Sequence, residues 1–296
     1  MRNPKEDILP KIIPAYKEAF AACDFSSVQE IRLRVLRPVI LHSSTGRMFC
    51  TAYGASNNRR DAIISQPTDI AKQLFAFCRG STYAYQDDLG NGFLTLKGGH
   101  RVGVSGKAVK KGSAVISMQD VSGLNVRIAR EFIGCADGAM HCVTDRNRIF
   151  STLLISPPGV GKTTVLRDIA RQLSADFKVT VVDERSEIAA MEQGVPSFDI
   201  GEQTDVLDGF SKEEGITCAL RALSPDVIIT DEIGTEADKA AIGEILKGGC
   251  KIVTSMHGYS IEEAVEKKKE LLSMFERLIF LEKKEHGVEV KQWLKW

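Results

Sequence analysis

Ser156-Pro157-Pro158-Gly159-Val160-Gly161-Lys162-Thr163-Thr164 sits between an apolar run, Phe150 to Ile155, and a segment of helical pattern, Val165 to Leu173. A strand, a glycine loop and a helix start, in that order, are the setting of a phosphate-binding P-loop. The amide N–H groups of such a loop converge on phosphate oxygens, and the helix N-terminus adds the positive end of its dipole. On this reading Ser156 through Thr164 cradle ATP, with Lys162 reaching the β- and γ-phosphates and the Thr163 hydroxyl ligating Mg²⁺. The pattern ordinarily opens with Gly, and here Ser156 stands at that position.

A P-loop needs carboxylates, and the chain downstream supplies them. Val227-Ile228-Ile229-Thr230 is a short apolar run ending in Asp231-Glu232. A buried strand that delivers two carboxylates at its C-terminal end is a Walker B arrangement. Asp231 is expected to hold Mg²⁺ through water, and Glu232 to orient and polarise the attacking water. Val179 to Val182 ends in Asp183-Glu184, then Arg185 and Glu187. Lys251 to Ser255 leads into Met256-His257-Gly258. Four strands therefore finish in polar residues on one rim, where open α/β sheets bind ligands. Lys162, Glu232, Glu184 and His257 are the candidate catalytic groups. An imidazole at His257 can report on the γ-phosphate through its hydrogen bonding.

Strand-like runs alternating with helical patterns from Ile149 onward imply a mostly parallel sheet covered on both faces. The chain is expected to end in an antiparallel hairpin, Glu276 to Leu281 against Gly287 to Trp293, around Lys283-Lys284-Glu285-His286. Lys267-Lys268-Lys269 reads as a solvated helix face.

The first half reads differently. Ile8 to Ala22 has helical spacing interrupted by Pro14. In Glu30 to Arg37, Ile31, Leu33 and Val35 alternate with Arg32, Arg34 and Arg37, a strand with one wet face. Ile40 and Leu41 are expected to extend it past Pro38. Thr68 to Cys78 is helical in pattern. Gly90-Asn91-Gly92 is expected to join Ser81 to Tyr85 and Phe93 to Leu96 as a hairpin, with Val102 to Val109 continuing the meander after Gly98-Gly99. Gly134, Ala136 and Gly138 mark a junction. The expected fold class is thus α/β: a RecA/AAA-like P-loop ATPase domain with a mostly parallel sheet over 134–296, preceded by a smaller α+β N-terminal domain over 1–133.

Composition narrows the function classes. The 296 residues are 43% hydrophobic, with 39 basic and 39 acidic side chains and zero formal net charge. No global charge points to nucleic acid or a membrane surface, so no nucleic-acid partner is expected. Seven scattered cysteines lack zinc-site spacing and read as reduced thiols in a cytoplasmic protein. Met1 to Pro10 has no apolar segment of signal-peptide type, and no run of about 18 apolar residues suggests a membrane span. Phosphoryl transfer also needs positive charge on its transition state, often an arginine from a neighbouring subunit. Arg101, Arg127, Arg130, Arg185 and Arg221 are candidates, and residue spacing leaves the choice open.

Taken together, these residues resemble the secretion-type ATPases of type II and type IV secretion and pilus machines. Gln29 to Pro38 is similar to that family's N-domain strand, with Arg32 where His is usual. Val182 to Glu187 is similar to its Asp box, with Arg185 in place of Pro. Arg221 to Glu232 resembles the region around Walker B, with one extra residue before Pro225 and Asp231 where Gly is common. Lys251 to Gly258 resembles its His box. More closely, Asn125 to Glu131, Gly134 to Gly138, Asp183 to Ala189 and Ser224 to Gly234 resemble the stage III sporulation AA family of endospore-forming bacteria. That resemblance implies an ATPase on the mother-cell side of a membrane channel complex feeding the forespore. It also implies self-association into a ring, a hexamer, with nucleotide between subunits. A nucleic-acid-dependent ATPase and a nucleotide-gated scaffold with little hydrolysis are the alternatives.

Overall fold

The computed structural model describes residues 3–145, 148–284 and 287–296. The chain forms two compact units, one ending at Arg130 and one spanning Glu131–Trp296. Among the described residues no helix is long and apolar enough to cross a membrane.

The first unit begins with helices α1 (Pro4–Ile8) and α2 (Pro14–Ala22). Pro14 interrupts the helical pattern because it starts α2, where its missing N–H costs no bond. Strands β1 (Val28–Arg34), β2 (Ile40–Ser43), β3 (Gly46–Thr51) and β4 (Gly54–Ser56) follow. After α3 (Pro67–Phe77) and α4 (Gln86–Gly90) come β5 (Phe93–Leu96), β6 (His100–Lys111) and β7 (Ala114–Arg127). These strands make one antiparallel sheet in the order β4-β3-β2-β1-β7-β6-β5. Ile31 and Leu33 of β1 are fully buried with Leu94, Val102, Leu124 and Val126, and Tyr16, Phe20, Ile70 and Phe77 of α2 and α3 join the same core.

Two local expectations fail in this unit. Ile40 and Leu41 do not extend β1: the chain turns back through Leu36, at φ +55°, and Leu41 pairs opposite Ile31 on the antiparallel β2. Ser81 to Tyr85 is not a hairpin strand either. It enters a 3-10 turn at Tyr83–Tyr85 and then α4, whose first turn carries Asp87 and Asp88 against the positive helix end. Tyr83 is 79% exposed while Tyr85 packs against the core, so the segment has no continuous buried face to hold an alternating strand. The hairpin partner of β5 is β6, joined through Gly98-Gly99.

The second unit opens with α5 (Asp137–Val143) and a ribbon of β8 (Thr144–Asp145) and β9 (Arg148–Ile149). Then come β10 (Thr152–Ser156), α6 (Lys162–Leu173), β11 (Val179–Asp183) and a second ribbon of β12 (Met191–Glu192) and β13 (Val195–Pro196). The chain continues through β14 (Thr204–Asp208), α7 (Lys212–Ala222), β15 (Val227–Thr230), α8 (Glu236–Lys247), β16 (Lys251–His257) and α9 (Ile261–Leu272). It closes with the antiparallel pair β17 (Arg277–Lys284) and β18 (Gly287–Lys295); Glu285 and His286 of the expected turn lie outside the described residues.

The main sheet runs β14-β11-β15-β16-β10-β17-β18, parallel from β14 through β17. Alternate residues of each strand face opposite sides, so both faces must be covered. Leu153, Ile155, Ile228, Ile252 and Leu278 pack with Ile216, Ile242, Ile245 and Leu272 of α7, α8 and α9. Leu154, Ile229, Val253 and Ile279 pack with Val143, Leu166, Ile169 and Leu173 of α5 and α6. Burying side chains of this size stabilises the unit by about 1.5–3 kcal/mol each. The helices thereby hold the C-terminal ends of β10, β11, β15 and β16 on one rim.

Candidate active site

The loop after β10 owes its path to two glycines. Gly159 and Gly161 stand at φ +76° and +116°, a region that only glycine enters without strain. Gly161 caps α6, whose first residue is Lys162. A Cβ at Gly161 would also meet Val288 Cγ2 at 3.1 Å. Ser156, the departure from the P-loop pattern, is the last residue of β10 and pairs with His257. Its backbone is extended, so this position makes no demand that only glycine can meet.

Lys162 is buried, and that burial pulls its ammonium below the usual lysine range. Its Nζ donates to Ser156 O at 3.3 Å and to His257 Nδ1 at 2.8 Å. The other imidazole nitrogen, Nε2, contacts Glu232 Oε1, and Glu232 Oε2 lies 3.5 Å from Arg185 Nη1. Thr163 Oγ1 donates to Asp231 Oδ2 at 2.8 Å, and Ser255 Oγ donates to Asp231 Oδ1 at 2.9 Å. Glu232 takes φ +33°, turning it sharply off the end of β15.

The loop after β11 is clamped from two sides. Asp183 is fully buried, and its carboxylate accepts the N–H groups of Glu187, Ile188 and Ala189 at 2.8–3.0 Å. Burial nevertheless raises the Asp183 carboxyl above its ordinary value, against those bonds. Arg167 of α6 donates to Ile188 O at 2.6 Å and Glu187 O at 2.7 Å, with its guanidinium 3.6 Å from the Phe198 ring centre. The same burial pushes Arg167 down to about 10.

Six predicted site residues therefore converge: Ser156, Lys162, Thr163, Asp231, Glu232 and His257. Glu184 stands off and pairs with Lys212, although both line a cleft of about 580 Å³ with Glu232, His257, Arg185 and Lys268. Arg101 and Arg127 belong to the first unit. They are register partners across β6 and β7; Arg101 lies 3.6 Å over the Phe93 ring and Arg127 is 3.9 Å from Glu30. Arg130 donates to Phe25 O and Val28 O, and Arg221 is exposed in the last turn of α7.

Sequence reasoning missed three roles. Lys268 does not simply belong to a solvated helix face. Its backbone leaves the helical region, at φ −137°, and its Nζ donates to Gly234 O at 2.8 Å beside the cleft. Lys212 and Ser255 also carried no assignment, because a lysine at a helix start and a serine in a buried strand have no spacing signal.

A family model described as sporulation stage III, protein AA matches residues 9–294. Stage III sporulation protein AA of Bacillus subtilis (strain 168) is 33% identical over 271 residues, 90% of this chain and 84% of that protein. Among solved structures, the pilus retraction motor PilT with bound ADP superposes with a TM-score of 0.59 at 13% identity, over 86% of this chain and 74% of that one. The Legionella pneumophila ATPase DotB gives 0.56 at 14% identity, over 90% and 77%. At such identities the likeness is one of fold.

Proposed function

This chain belongs to the stage III sporulation protein AA family, and we propose that it serves there as a Mg²⁺-dependent ATP hydrolase, a secretion-type motor energising a channel complex between mother cell and forespore. The observation that carries this reading is the 2.8 Å contact between Thr163 Oγ1 and Asp231 Oδ2, which joins the P-loop to the acidic end of β15.

The residues present suit the ion. Two oxygen donors meet there, and among the described residues no group of three or more His, Cys, Asp or Glu could hold a metal. Mg²⁺ prefers such a set, because it keeps waters and substrate phosphates in its shell. When bound, it neutralises charge that develops on the β- and γ-oxygens. Lys162 then trades His257 for phosphate. Glu232, released from that chain of contacts, orients a water and accepts its proton. Ser255 holds Asp231 in place through Oδ1.

Arg101 and Arg127 supply transition-state charge in trans, in a hexameric ring docked on membrane proteins of the channel complex. Movement follows from unequal affinity of two ring conformations for ATP and ADP, the only lever a ligand has on an equilibrium.

The test is ATP hydrolysis with Mg²⁺ and with a chelator, in the unaltered chain and in Lys162→Ala and Glu232→Gln. Hydrolysis is expected only with Mg²⁺ and to collapse in both variants. A variant that turns over at the unaltered rate removes its residue from the mechanism.

A further inference from the structure

A cavity of about 420 Å³ lies beside the P-loop, lined by Cys135, Gly138, His141, Val165, Val288 and Trp293. We infer that this cavity holds the base of the bound nucleotide, with Trp293 as its stacking surface. The inference rests on the nucleotide reading of the P-loop above.

Three relations place the cavity against the loop. Val165 directly follows Thr164 on α6. Cys135 Sγ donates to Thr164 O at 3.5 Å. Val288 Cγ2 would stand 3.1 Å from a Cβ at Gly161. The cavity therefore begins where the loop becomes helix.

Sheet order then sets the direction of a nucleotide. Asp231 and Glu232 end β15, which is separated from β10 by β16 on one side. The cavity lies with α5, β17 and β18, on the other side of β10. Lysine in a P-loop reaches the β- and γ-phosphates, so the γ end points toward Glu232. The α-phosphate, and the nucleoside beyond it, then point away from β15 and toward the cavity.

The lining suits a base. Val165, Val288 and Val290 offer apolar walls, yet Trp293 stays 43% exposed. Its ring meets His141 edge-on at 6.0 Å, leaving an aromatic pair on the cavity wall. Aromatic rings bind bases through their π-faces with little regard for base identity. Sequence inspection had no means to mark Trp293, because its ring partners, His141 of α5 and the Arg277 guanidinium of β17 at 6.0 Å, are far from it in the chain.

The experiment measures binding of ATP and of inorganic tripolyphosphate, each with Mg²⁺, to the full chain and to Trp293→Ala, Trp293→Phe and Gly138→Leu. Gly138 lines the cavity and a Cβ there meets nothing within 4 Å, so a larger side chain enters open space. Trp293→Ala and Gly138→Leu are expected to weaken ATP about tenfold and to leave tripolyphosphate within about twofold, with Trp293→Phe recovering most of the loss. Equal weakening of both ligands, or no weakening of ATP, overturns the base assignment while leaving the P-loop intact. Binding of neither ligand by the unaltered chain overturns the nucleotide reading and this inference with it.

Discussion

Lys162 Nζ stands 2.8 Å from His257 Nδ1 across 95 residues of chain. An ammonium can only donate, so Nδ1 is the acceptor and the ring proton sits on Nε2, facing Glu232. The three side chains thus form one directional chain of hydrogen bonds, from the start of α6 to the end of β15. Phosphate competes for the same ammonium. Adding ATP with Mg²⁺ is expected to shift the His257 Nδ1 resonance in ¹⁵N NMR, and Lys162→Ala to abolish that shift. His257→Ala is expected to keep ATP binding and to slow hydrolysis roughly ten- to hundredfold. An unchanged Nδ1 signal on saturation would show that the contact does not respond to nucleotide.

Thr163 and Asp231 should behave as a pair. Each touches the other, and each is assigned to the same ion. Thr163→Val and Asp231→Asn are each expected to raise the Mg²⁺ needed for half-maximal hydrolysis by tenfold or more, on the order of 1.4 kcal/mol. The double variant should be little worse than either single one. Full additivity in that cycle would mean the two residues act on separate steps.

Gly161→Ala tests the loop backbone. Alanine at φ +116° costs about 1–2 kcal/mol, and its methyl crowds Val288. We expect weaker ATP binding together with a lower melting temperature. Gly159→Ala shares the backbone penalty but meets no neighbour, so it should cost less. Equal losses would remove the Val288 contact from the explanation.

Asp183 makes stability depend on pH. Burial raises its folded carboxyl above 3.8, so the folded chain holds a proton that the unfolded chain releases. Its contribution is complete below 3.8 and is lost as pH rises through the raised folded value. Urea unfolding across pH 4 to 7 should therefore show the unaltered chain losing stability relative to Asp183→Asn as pH increases. A pH-independent difference would mean that the three N–H bonds cancel the burial.

Arg101 and Arg127 share a row of the β6–β7 ladder. If they act in trans, Arg101→Ala or Arg127→Ala should still bind ATP but hydrolyse it at least tenfold more slowly. The rate per subunit in the unaltered chain should rise with protein concentration. A flat rate, with both variants active, would confine catalysis to a single subunit.

Much of this molecule was legible in the residues. The glycine loop between β10 and α6, the acidic end of β15 and the terminal β17–β18 pair are local patterns, and local backbone physics decides them. Reading Ile40-Leu41 as a continued strand failed because a single positive φ at Leu36 reverses the chain. Reading Ser81 to Tyr85 as a strand failed because Ser81 to Ala84 are all exposed and only Tyr85 packs against the core.

Sequence alone determined that a glycine loop joins a buried strand to a helix, and that carboxylates end neighbouring strands. Those are properties of residues adjacent in the chain, set by periodicity and by the φ values that glycine permits. Only the tertiary structure decided that Lys162 meets His257, that Arg185 faces Glu232, that Asp183 serves its own loop, and that Lys268 leaves its helix face for Gly234. The parallel sheet order brings these groups together from segments far apart in sequence. Their contacts depend on packing α6, α7 and α9 against particular strands, which no residue spacing encodes.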